Sequence, residues 1–179
     1  FIGALMGLLL QVVNAALVIG GQAISASMGL SMANMVDPNM GNVPVIAQFL
    51  VICSTLIFLG LGGHVLVISM LLESFQILPI GQMFDVQALM ALTIQWSSMM
   101  FLGAILIGLP LMSSLLFINI GLGVITRAAP ALNIFAVGFP AMILAGIILL
   151  SLSMTSIGFR IQWLWQQSFD VVGQALGLK

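Results

Sequence analysis

The chain has 179 residues, of which 62% are hydrophobic and only 4% are charged, and its mean hydropathy is +1.32. An ordinary soluble domain has about 45–50% apolar and about 25% charged residues, so this composition excludes a water-exposed globular protein. The formal net charge of −1 supplies no basic surface for a phosphate backbone, which excludes nucleic acid as a partner.

The first predicted helix covers residues 1 to about 29, an apolar run longer than the roughly 18 residues that signal a membrane helix. The pair Gly20-Gly21 lies inside this run and predicts a bend. Neither an initiator methionine nor a basic region precedes the run, so it does not resemble a secretory signal peptide. We therefore expect the natural start of the chain to lie further upstream.

The next apolar segment, residues 45–72, follows a loop predicted over 37–44 by the sequence DPNMGNVP, which concentrates turn-forming residues. The glycine-rich sequence GLGGH interrupts the middle of this segment. It predicts either one long helix or a tight pair of helices. The segment ends at Glu73, before the turn-like sequence QILPIGQ.

A third apolar stretch, between Asp85 and Arg127, carries no ionisable side chain. As one helix it would extend for about 60 Å, which is twice the thickness of a hydrocarbon core. Pro110 is the predicted break, because proline removes one helical hydrogen bond. The sequence TRAAP then predicts a turn, with Pro130 suited to the first turn of the following helix.

The last apolar run covers residues 131–159 and is predicted to be kinked at Pro140 and to end at Arg160. The remaining tail contains Trp163 and Trp165 beside two glutamines. Tryptophan with polar neighbours is typical of a membrane interface, so the tail is predicted to be an amphipathic helix whose tryptophans are interface anchors.

Few residues are candidates for chemistry. His64, Ser69 and an aspartate could form a hydrolytic triad on paper, but no G-x-S-x-G context supports it, so catalysis is not expected. A packed, hydrogen-bonded His64 is favoured over a proton relay. Glu73 fits either a helix end at an interface or an ion pair with Arg127 or Arg160, and both interpretations stay open.

No metal or cofactor is expected, because the chain has one cysteine and one histidine and therefore lacks a closed Cys/His site and an internal disulfide. A second feature is a methionine cluster that precedes and enters the 37–44 loop: Met28, Met32, Met35 and Met40. Flexible methionine side chains suit a surface that seals and then yields, although composition alone favours ordinary core filling.

From these residues alone, the alternative function is a secondary transporter or a subunit of a proton-coupled membrane complex, with Glu73 and His64 handling the ion. That alternative predicts inverted internal repeats, and the Pro/Gly breaks of the two halves do not correspond.

Three stretches resemble the FliR family in order and spacing: GLSMANMVDPN over 29–39, GGHVLVISMLLESFQILPIG over 62–81, and NIGLGVITRAAPALNIFAVGFP over 119–140. The third stretch is the most specific. Its matching residues are Arg127, Pro130, Asn133, Phe135, Gly138, Phe139 and Pro140.

The resemblance implies an all-α, non-enzymatic subunit built from hydrophobic, kinked helical hairpins within a membrane-associated export gate. Residues 1–84 would be a FliP-like part with a plug loop at about 28–44, lacking the family's N-terminal segment, and residues 85–179 a FliQ-like kinked hairpin. The implied partners are FliP, FliQ, FlhB, unfolded export substrates and membrane lipid. The implied location is the bacterial inner membrane, at the flagellar basal body. A passive scaffold of the same complex is the neighbouring alternative.

The resemblance also assigns residues to roles. The pore plug would comprise Met28, Gly29, Met32, Asn34, Met35, Asp37, Pro38 and Met40. Glu73 and Arg127 would be structural charges in the assembly. The kinks and the turn of the hairpin would be formed by Pro110, Pro130, Gly138 and Pro140.

Overall fold

The computed structural model describes residues 2–30, 45–77, 86–128 and 134–177, without the side chains of residues 86 and 134–137. Six α-helices account for nearly all of this part: α1 (Ile2–Ser27), α2 (Val45–Gly60), α3 (Gly63–Ile77), α4 (Val86–Ser97), α5 (Met99–Ala128) and α6 (Ile134–Ala175). No β-strand occurs in these ranges, and the all-α prediction is confirmed.

The central helix of the fold is α1, which packs mainly on α5 and α2 and also contacts α6. It continues unbroken through the Gly20-Gly21 pair. A Cβ atom at Gly20 would lie 3.1 Å from the carbonyl oxygen of Ala104 in α5, and one at Gly21 would overlap the backbone of Ala47 in α2. The two glycines therefore allow close approach of neighbouring helices, a common use of small residues in membrane proteins.

Of the two alternatives for residues 45–72, one long helix or a pair of helices, the structure has the pair. The axes of α2 and α3 differ by 63° across a short break. Gly62 has a φ of +72°, a left-handed conformation that costs glycine little because it has no Cβ. The last turn of α2 is completed by the N–H of Leu61, which donates to the carbonyl of Ile57 at 2.9 Å. The chain thus bends here while the N–H of Leu61 stays paired.

The expected break at Pro110 is wrong, because α5 is helical on both sides of this proline. The interruption in this apolar stretch lies at Ser98, between α4 and α5. A proline removes only one hydrogen bond from a helix, and the carbonyl that it frees can be paired from elsewhere. In α5 that carbonyl belongs to Leu106, and it accepts a hydrogen bond from Arg160 of α6.

Arg160 was expected to end the last helix, and that expectation is also wrong. One helix, α6, extends from Ile134 to Ala175, with Pro140 near its start and the tryptophan-containing tail near its end. The tail contains enough buried apolar positions to continue the helix against the core: Ile161, Leu164, Trp165 and Val172.

One hydrophobic core joins the two sides of residue 85. Its fully buried side chains come from α1, α2, α5 and α6 and include Leu9, Leu17, Leu50, Ile107, Leu111, Ile157 and Ile161. The proposed division of the chain at about residue 85 stays a prediction. Both parts contribute to the same packed interior.

Three helical stretches in the described residues are long and apolar enough to cross a membrane: Ile2–Ser27, Gln87–Ala128 and Gly138–Ala175. The bent pair α2–α3 would make a fourth if it counts as one span. Length and composition are the basis of this assignment.

Candidate functional site

The end of α1 is fixed against α6 at the point where the predicted plug segment begins. Met28 is 0% exposed, and a Cβ atom at Gly146 of α6 would collide with its side chain. The next residue, Gly29, has a φ of +79° and lies beside the ring of Phe139. The absence of side chains at Gly146 and Gly29 thus creates the space that these contacts occupy.

Met28 and Gly29 are the two predicted plug residues within the described part of the chain. The other predicted plug residues lie outside it: Met32, Asn34, Met35, Asp37, Pro38 and Met40. The buried position of Met28 identifies it as an anchor of the segment's first end.

A cavity of about 480 Å³ opens beside this end of α1, between α1 and the middle of α5. Ala26 and Ser27 form the α1 wall. The α5 wall extends across Pro110, from Ile105 to Asn119. The lining is mostly apolar, so the cavity suits an apolar side chain better than a polar ligand.

Arg160 of α6 donates a hydrogen bond from Nη1 to the carbonyl oxygen of Leu106 in α5, at 2.5 Å. Leu106 lies four residues before Pro110, so its carbonyl is the one that cannot be paired by an N–H at position 110. A hydrogen bond from an ionised donor is stronger than one between neutral groups. Arg160 therefore replaces the helical hydrogen bond that proline removes.

The carbonyl of Pro110 accepts hydrogen bonds from two hydroxyl groups in the following turn. Ser113 Oγ donates to it at 3.0 Å, and Ser114 Oγ donates at 2.9 Å. Hydroxyl bonds of this kind compete with the backbone ladder and often bend a helix. The middle of α5 is therefore locally weak in its own backbone hydrogen bonding.

The two predicted structural charges, Glu73 and Arg127, are exposed near the ends of α3 and α5. Arg127 lies in the last turn of α5, where a cation interacts favourably with the helix dipole. Within the described ranges, Glu73 forms no ion pair with either arginine. The structure thus favours the helix-end interpretation of Glu73 within a single chain.

Of the predicted kink residues, Pro110 and Pro140 are inside helices and Gly138 is buried in the first turns of α6. Pro130 lies outside the described residues. The preference for a packed His64 is wrong, since His64 is exposed at the start of α3. Ser69, drawn with it as a possible nucleophile, donates its hydroxyl to the carbonyl of Leu66 at 2.9 Å.

Trp165 was predicted to be an interface anchor, but it is only 5% exposed and belongs to the core. Its indole Nε1 donates to Ser54 Oγ of α2 at 2.9 Å. The ring of Trp165 also lies 4.6 Å from that of Phe58, centroid to centroid. The anchor prediction is consistent only with Trp163, which is 38% exposed.

The sequence reasoning missed three polar contacts that join distant helices: Arg160 with Leu106, Trp165 with Ser54, and Trp96 with Leu9. In the third, Trp96 Nε1 donates to the carbonyl oxygen of Leu9 at 2.8 Å. One signal was available. A lone arginine inside an apolar run indicates a partner in the protein, because an unpaired cation is costly there.

Large apolar side chains cover much of the outer surface. The most exposed include Leu152 at 75%, Phe117 and Ile94 at 74%, and Phe159 at 69%. Exposed large apolar side chains in such numbers indicate contact with protein partners or with lipid.

Comparison with known proteins gives a family match for this chain. Residues 1–168 match the family described as bacterial export proteins, family 1. The chain is 36% identical over 177 residues to the flagellar biosynthetic protein FliR of Escherichia coli K12, an alignment that covers 98% of this chain and 67% of that protein.

Two further relatives come from distant bacteria and have the same description. FliR of Aquifex aeolicus is 34% identical over 167 residues, covering 92% of this chain and 64% of the relative. FliR of Bacillus subtilis is 29% identical over 182 residues, covering 99% and 70%. The chain thus spans about two thirds of the length of these relatives.

Proposed function

Because the chain belongs to the FliR family of bacterial export proteins, we propose that it is a core subunit of the flagellar type III export gate. In this proposal it assembles with FliP and FliQ into the pore that conducts unfolded flagellar substrates, and it engages FlhB. Its location is the bacterial inner membrane at the flagellar basal body. The observation that carries the proposal is the family match over residues 1–168.

The outer surface supports a role within an assembly. Leu152, Phe117 and Phe159 are among many large apolar side chains exposed on α5 and α6, and only 4% of all residues are charged. Lipid alone can cover such a surface, but packing against other helical subunits would also satisfy it. We therefore assign these faces to FliP- and FliQ-like neighbours and to lipid.

The proposed plug is the loop at about residues 28–44, of which residues 31–44 lie outside the described part of the chain. Its first end is anchored by Met28 against Gly146. Its second end is anchored because Ala47, two residues into α2, touches Gly21 of α1.

The length of the segment supports this assignment. From the contact between Gly21 and Ala47, the two ends of the segment can be no more than about 25 Å apart at 1.5 Å of rise per helical residue. A chain of residues 31–44 can extend for about 50 Å. The segment is thus longer than the connection requires, and the surplus can reach into a pore.

The role needs no catalysis by this chain. Its relatives are export-apparatus proteins, and we propose that energy for transport is supplied by other parts of the apparatus. The chain would contribute part of the pore through which substrates pass and the plug that seals it.

Co-purification tests the proposal. The tagged chain would be extracted from bacterial membranes in mild detergent, and the co-purifying proteins would be weighed intact by native mass spectrometry. A stable complex with FliP- and FliQ-like subunits is the expected result. A monomer or a simple homodimer would contradict the gate and would favour the transporter alternative.

A further inference from the structure

We propose that α5 contains a hinge at Pro110 and that Arg160 of α6 is the positioning residue that holds this hinge in its observed geometry. The role of the hinge in gating rests on the proposed function. The hinge itself rests on hydrogen bonds within one chain.

The first observation is the pairing of the freed carbonyl. Pro110 cannot donate to Leu106, and the guanidinium of Arg160 does so instead, from a residue 54 positions away in the sequence. In an apolar surrounding, an unpaired carbonyl is costly, so this one bond has a large effect on local stability. Removing the donor leaves the Leu106 carbonyl without a partner in α5.

The second observation is the weakness of the next turn. The carbonyl of Pro110 is shared with the hydroxyls of Ser113 and Ser114. Gly108, two residues before the proline, adds backbone freedom. The turn thus combines proline, glycine and serine, which are the residues at which helices characteristically kink.

The third observation concerns what the hinge would move. The α5 wall of the 480 Å³ cavity extends across Pro110, with Leu109 before the proline and Met112 after it. Ala26 and Ser27, at the end of α1, form the opposite wall. A bend at Pro110 would therefore move one wall of the cavity relative to the end of α1, next to the proposed plug.

Arginine suits this role better than lysine does. Its planar guanidinium offers several N–H donors on a long stem, whereas lysine offers a compact, strongly hydrated charge. Within the described part of the chain, the only recorded partner of Arg160 is the Leu106 carbonyl. We infer that pairing this carbonyl accounts for its position.

A compensation experiment tests the hinge. Arg160→Met removes the donor while keeping an unbranched, apolar stem. Pro110→Ala restores an N–H at position 110, which can donate to Leu106 without help from α6. If Arg160 acts through the freed carbonyl, the variant R160M should be defective and the double variant R160M/P110A should be restored.

The readout is a distance along α5, measured by pulsed electron spin resonance in the full chain purified with its complex. Spin labels would be attached to cysteines at Leu102 and Ile120, which are 46% and 56% exposed, after replacing Cys53 with alanine. For a continuous helix these backbone positions lie about 27 Å apart. The variant Q166M serves as the control, because Gln166 is exposed on α6 and the donor to the Leu106 carbonyl is Arg160.

We expect one narrow distance in the parent and in Q166M, a shift to shorter and broader distances in R160M, and return of the narrow distance in R160M/P110A. An unchanged distribution in R160M, or no restoration in the double variant, would overturn the hinge. If R160M does not accumulate, accumulation of the double variant supports the proposal and loss of both contradicts it. Absence of FliP- and FliQ-like proteins would reject the gate alone, since the distance comparison remains valid.

Discussion

Trp165 in α6 and Ser54 in α2 form a buried hydrogen bond between side chains 111 residues apart, with 2.9 Å between the indole Nε1 and the hydroxyl oxygen. Ser54 is 0% exposed, and Trp165 also contacts the ring of Phe58. This polar contact joins the two helices inside an otherwise apolar interior. A lost partner cannot be replaced by water at such a site.

We predict that Ser54→Ala destabilises the chain by about 1–3 kcal/mol, because it leaves the indole N–H buried and unpaired. Trp165→Phe in the Ser54→Ala background should cost less than it does alone, since the unpaired donor is then removed as well. Thermal unfolding in detergent, followed by circular dichroism, measures both effects. Ser151→Ala, at an exposed position of α6, is the matched control. Additive losses in the double variant would contradict a direct coupling.

A second prediction compares two glycines of α1. Gly21→Ala should destabilise the fold by about 1–3 kcal/mol, because its Cβ would overlap the backbone of Ala47 and push α2 away. Gly7→Ala should be neutral or stabilise by up to about 1 kcal/mol, because no atom lies within 4 Å of its Cβ and alanine is the better helix former. Melting temperatures of the two variants under identical conditions provide the comparison. Equal effects would argue against close packing at Gly21.

The proposed plug gives a third prediction. Deleting residues 32–40 should increase ion leakage across the membrane, because the methionines that are proposed to seal the resting pore are lost. Leakage is measured in cells that express the full gate, after a permeant ion is added. The readout is the rate of growth inhibition or the rate at which a dye is released from the cells. The control is Met90→Ala, since Met90 is 61% exposed on α4 and outside the plug. A leak no greater than in the parent would exclude the sealing role.

Arg127 gives a fourth prediction. Arg127→Ala should reduce recovery of the complex in native mass spectrometry, because the exposed guanidinium at the end of α5 is proposed to pair with an acid of a neighbouring subunit. The direct effect on α5 should be small, about 0.3–1 kcal/mol from the helix dipole. Arg127→Lys keeps the charge and should retain more complex than alanine. Full recovery with alanine would leave Arg127 only a helix-end role.

The sequence pattern predicted the elements better than it predicted their junctions. The GLGGH sequence left one long helix or a tight pair open, and the structure has the pair, with a glycine of positive φ at the bend. Pro110 does not break the helix, and the reason is physical. Whether a proline ends a helix depends on whether the carbonyl four residues before it finds another hydrogen-bond donor. Here the donor is Arg160, which lies far along the chain.

The environment of single polar residues was equally hard to predict. Trp165 and Trp163 are two positions apart in the same tail, yet one is buried and the other is partly exposed. Their difference follows from which face of α6 meets α2, and no local pattern specifies that face. Among plug residues, the burial of Met28 depends on Gly146, another distant residue.

The order of synthesis determines when these distant contacts can form. Ser54 leaves the ribosome well before Trp165, and at about 5–20 residues per second the interval of 111 residues lasts on the order of 10 s. The carbonyl of Leu106 likewise lacks its donor until Arg160 has been synthesised. The nascent chain therefore carries unmatched polar groups until α6 is made, and a product truncated before α6 would keep these groups unpaired.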